Sequence, residues 1–202
     1  FLFMLFSPQV NAQGDACWQQ HRATVYEWTC AAQSLPPEGQ DFALSIVVVD
    51  SPKTILVIDS GATAAVGESA AAAIRSKFGT KPVWILNTQP KPEHVLGNVG
   101  FRAPFAGTLR EGESFASRLV AGKRTADLMR ARCPTCIENF SERMGSISVT
   151  GTESLVPERA VYRVQLAVEA DDVAALTARL ADQLVHSGVA TWQDGRLVAR
   201  AG

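Results

Sequence analysis

Residues 55–98 read ILVIDSGATAAVGESAAAAIRSKFGTKPVWILNTQPKPEHVLGN, and this stretch decides the fold class. Ile55-Leu56-Val57-Ile58 is an unbroken aliphatic run, the composition of a strand buried on both faces. It stops at Asp59-Ser60-Gly61. Residues 63–78 then place Val66, Ala70, Ala73, Ile74 and Phe78 at helical spacing, and the alanines among them let a helix lie close to a sheet. Gly79 ends that helix, and Lys81-Pro82 leads into a second apolar run, Val83-Trp84-Ile85-Leu86. A strand that follows a helix after so short a loop returns parallel to the first. The chain therefore reads as α/β. In such sheets ligand chemistry gathers beyond the carboxyl ends of the strands. Asp59 and the polar loop Thr88-Gln89-Pro90-Lys91-Pro92-Glu93-His94 both fall there.

Toward the amino terminus, residues 42–49 and 54–58 are apolar runs joined by Asp50-Ser51-Pro52-Lys53, a hairpin of buried strands. Thr24-Val25-Tyr26-Glu27-Trp28 has the content of a first strand, closed by the loop Leu35-Pro36-Pro37-Glu38-Gly39. Toward the carboxyl terminus, a short helix is expected over residues 93–97 and a loop over 102–112. Residues 113–144 are helix-prone with breaks near Gly122 and Pro134, and residues 145–157 look extended. In the tail, Tyr162, Val164, Leu166 and Val168 alternate as in a half-buried strand. Asp171-Asp172 caps a helix striped by Val173, Leu176, Leu180 and Leu184, and Asp194-Gly195 marks a final hairpin.

Length and composition are those of one globular domain: 202 residues, 47% hydrophobic, 19% charged. A formal net charge of -1, with no run of Lys or Arg longer than two, argues against nucleic-acid or anionic-membrane partners. Phe1-Leu2-Phe3-Met4-Leu5-Phe6, followed by Val10-Asn11-Ala12, reads as the end of a secretory signal over residues 1–12. The alternative is a short apolar element of the fold; the run is too short to span a bilayer. Cleavage would leave a single domain over residues 13–202, with the strand, helix and hairpin of residues 161–202 as its tail. A periplasmic or secreted location follows, and the even cysteine count suits it. Cys17 with Cys30 and Cys133 with Cys136 is the favoured pairing among three possible connectivities. Cys133-Pro134-Thr135-Cys136 also has dithiol redox spacing, with the structural bridge the simpler reading.

Ile58-Asp59-Ser60-Gly61, the helix, Lys81-Pro82-Val83, Asn87-Thr88 and His94-Val95-Leu96-Gly97-Asn98 follow one another in an order and spacing that resembles the metallo-β-lactamase superfamily. Within it the chain looks most like periplasmic zinc metallohydrolases related to sulfur-oxidation hydrolases and quinoprotein relay systems. The resemblance runs over residues 42–161 and implies an αβ/βα sandwich, here incomplete in its second half. That family's signature loop is Thr-His-x-His-x-Asp-His, whose side chains hold zinc and lower the pKa of a bound water. On this chain Gln89 and Lys91 stand at the first two histidines, Glu93 at the aspartate, and only His94 is unchanged.

The substitutions remove metal-binding power. A lysine with a free pKa of about 10.4 costs about 4–5 kcal/mol to deprotonate at pH 7, and its charged form repels a cation. An amide is a poor zinc donor beside an imidazole. After His94 the chain offers only His186 for the family's later histidine ligands. The expectation is a protein without cofactor or hydrolase activity that binds a small molecule or a periplasmic protein. The alternatives are a zinc hydrolase with Glu93 and His94 in its ligand set, and a thiol–disulfide protein using Cys133 and Cys136. Asp59 and Thr88 are expected to support the loop. His94 is expected to be a hydrogen-bonded structural residue, and Lys91 and Glu93 either pair in the former metal pocket or stay solvated. A half-sandwich would expose one sheet face, which the tail or a second chain must cover.

Overall fold

The computed structural model describes residues 16–144, 157, 159–161, 177–178, 190–193 and 196–199. Seven strands form one sheet in sequence order: β1 (Trp18–Gln20), β2 (Val25–Trp28), β3 (Ile46–Asp50), β4 (Ile55–Ile58), β5 (Val83–Asn87), β6 (Leu119–Gly122) and β7 (Arg159–Val161). The first four pair antiparallel, and β4 to β7 run parallel. The change from antiparallel to parallel falls at β4, where the return connection becomes a helix instead of a tight turn. A separate hairpin joins β8 (Ala190–Gln193) to β9 (Arg196–Ala199). The fold is mixed α/β.

The crossover helix α1 (Ala64–Phe78) starts where Thr63 accepts a hydrogen bond from the Val66 N–H at 3.2 Å. It ends at Gly79, whose φ of +76° suits a residue without a Cβ. Ala64, Val66, Gly67, Ala70, Ala71 and Ile74 face inward. Val66, Ala70, Ala71 and Ile74 join Trp28, Ile46, Val48, Ile55, Val57, Val83 and Ile85 in the main core. The opposite sheet face carries Val25, Val47, Val49, Leu56 and Ile58, exposed by 4% or less, which accounts for the unbroken apolar runs of β3 and β4. The hydrophobic residues described in this second cluster all come from the same sheet.

Several expectations change. Leu119–Gly122 is not helical but is the third parallel strand, β6, buried between β5 and β7. Its four residues are too few to show a period, and pairing to Ile85, Leu86 and Asn87 overrides their helical neighbourhood. The helix α4 (Lys123–Met144) continues across Pro134. A proline removes one backbone hydrogen bond, and buried Ala126, Met129 and Phe140 on either side hold the helix against the core. Residues 102–112 contain the short helix α3 (Arg102–Phe105), and Trp18–Gln20 adds an edge strand. The expected short helix appears as α2 (Pro92–Val95). The signal segment, the strand at residues 162–168 and the tail helix lie outside the described residues, apart from helical Thr177 and Ala178.

Cys17 and Cys30 are disulfide-bonded, with their Cα atoms 5.3 Å apart, and so tie the edge strand to the turn after β2. At the entry to β6, the buried Arg118 guanidinium holds both carboxylate oxygens of Glu113 and the Thr108 carbonyl, and lies 5.3 Å from the Trp84 ring centre. The hydrogen bond from Arg118, then that from the Arg110 backbone N–H, brings the Glu113 pKa from 4.5 down to about 2. A carboxyl whose pKa falls on folding stabilises the native state above its unfolded pKa and loses that effect on acidification. Glu113→Gln is therefore expected to be less stable than the parent by a constant margin above pH 4.5. The margin should shrink as pH falls from 4.5 toward 2, as read by denaturant titrations across pH.

Candidate functional site

The carboxyl ends of β4 and β5 are adjacent, and each releases a polar residue into the same buried corner. Asp59 leaves β4 with φ +59°, a left-handed conformation that Asp tolerates better than most side chains. Its backbone N–H bonds the Leu86 carbonyl at 2.9 Å, so the turn stays registered to β5. The Asp59 carboxylate then accepts from three donors. Oδ1 takes the Thr88 backbone N–H at 2.8 Å, while Oδ2 takes the Thr88 hydroxyl and His94 Nδ1, each at 2.7 Å.

His94 sits in α2, whose Pro92 begins the turn. Its ring is 1% exposed, and Nε2 lies 3.3 Å from the side-chain nitrogen of Gln89, itself 2% exposed. The backbone carbonyl of His94 accepts from Ser60 N–H, Ser60 Oγ and Asn87 Nδ2 at 3.0–3.2 Å. Asn87 and Asn98 complete the corner by bonding each other's amides at 3.1 and 2.9 Å. Thr125 at the start of α4 reaches the Thr88 carbonyl at 3.4 Å.

Of the sequence-derived positions, Asp59, Thr88, Gln89 and His94 are brought together. Lys91 and Glu93, on either side of Pro92, are half-buried. Cys133 and Cys136 lie in the middle of α4, away from the unpaired N–H groups of a helix start, and their side chains are outside the description. Ser60, Asn87 and Asn98 received no role from the sequence. The available signal was polarity inside apolar runs, because a buried amide needs a partner and two such amides satisfy one another.

The donor set does not fit a zinc ion. Zinc needs several thiolate, imidazole or carboxylate donors with free lone pairs aimed at one point. Here both ring nitrogens of His94 are hydrogen-bonded and the Asp59 carboxylate is occupied by three donors. Among the described residues no group of three or more His, Cys, Asp and Glu side chains converges. An aspartate on Nδ1 also prepares an imidazole to act as a base through Nε2. Here Nε2 is buried against the Gln89 side chain instead of facing an accessible cleft.

No family profile and no curated protein matches the chain. Solved structures do. A metallo-β-lactamase from Hirschia baltica matches at 11% identity and TM-score 0.41, over 76% of this chain and 56% of that one. TMB-1 matches at 12% identity and TM-score 0.42, over 75% and 54%. DIM-1 metallo-β-lactamase matches at 12% identity and TM-score 0.38, over 56% and 46%. The chain thus spans about half the length of these proteins.

Proposed function

We propose that this chain is a metallo-β-lactamase-like domain, of the kind found among periplasmic sulfur-oxidation and quinoprotein relay proteins, that has given up zinc-dependent hydrolysis. It acts as a secreted or periplasmic accessory protein that binds a small molecule or another protein of that compartment. The observation that carries this reading is the engagement of His94: the one histidine retained from the family's loop has Nδ1 on Asp59 and Nε2 on Gln89. Gln89 and Lys91, where imidazoles would stand, add no competent zinc donor at neutral pH. The Cys17–Cys30 disulfide supports an oxidising compartment. No helix among the described residues is long and apolar enough to cross a membrane.

Metal analysis of tag-free protein, before and after exposure to zinc and gel filtration, tests the reading. Far less than one equivalent should be retained. Retention of about one equivalent, lost in His94→Ala together with hydrolytic turnover, would replace it with the active-hydrolase alternative built on Glu93 and His94.

A further inference from the structure

We draw no further inference here: the strongest candidate, the apolar sheet face carrying Val25, Val47, Val49, Leu56 and Ile58, carries nothing because no contact among the described residues shows what covers it.

Discussion

Gly97→Ala is expected to lose about 3–5 kcal/mol of folding stability. A Cβ at this position would sit 2.6 Å from the Ser60 carbonyl carbon and closer still to its oxygen. The obstacle is backbone, so no side chain can rotate away. The same approach carries the hydrogen bonds from Gly97 N–H to Gly61 O at 2.8 Å and from Ser60 N–H to His94 O at 3.0 Å. Separating the two segments would break both and pull His94 from Asp59. Gly67 of α1 makes the next contact in this stack: a Cβ there would be 2.8 Å from the Gly97 carbonyl carbon. Gly107, with nothing within 4 Å of an added Cβ, is the control, and Gly107→Ala should stay within about 0.5 kcal/mol. Denaturant titrations read both variants, with the Gly97→Ala midpoint displaced at unchanged slope. A Gly97→Ala protein as stable as the parent would show that β4 and the loop are not held at this distance.

Asp59→Ala is expected to cost a similar amount, about 3–5 kcal/mol, for an electrostatic reason. Alanine would leave the buried His94 Nδ1 and the partly buried Thr88 N–H and hydroxyl without their carboxylate partner. It would also place a Cβ residue less tolerant of φ +59° at the turn. Asp59→Asn should lose about half as much, since Asn accepts the left-handed backbone and keeps one oxygen for Thr88. Its uncharged NH2 group would face His94 Nδ1 where a carboxylate oxygen stands now, weakening that contact. The pair of variants separates the two roles of Asp59: the loss shared by both reports its charge beside His94, and the further loss in the alanine variant reports the Thr88 contacts and the left-handed turn. If Asp59→Ala unfolds at the parent's denaturant midpoint, the buried network contributes nothing to the fold.

Much of the scaffold could be read locally. The aliphatic runs at residues 55–58 and 83–86, the helical spacing between them and the stops at Gly61 and Gly79 lead directly to β4, α1 and β5. The Cys17–Cys30 pairing and the hairpin around Asp194-Gly195 rest on equally short-range signals. By contrast, β1 and β6 contain three and four residues, too short for a periodic pattern, and exist because a neighbouring strand offers hydrogen bonds. The course of α4 through Pro134 likewise depends on packing on both sides of the break.

At the site, the sequence alone determined that the chain is α/β, that polar groups collect beyond β4 and β5, and that the residue types in the 88–94 loop are poor company for zinc. Composition and spacing act over a few residues, so those properties are carried by the chain itself. Only the tertiary structure decided that Asp59 meets His94 across 35 positions, that Asn87 and Asn98 pair, and that Gln89 faces the imidazole. Each of these contacts joins side chains whose positions are set by the glycine-lined approach of α1, the loop and the sheet. A buried polar group takes whichever partner that packing brings within reach.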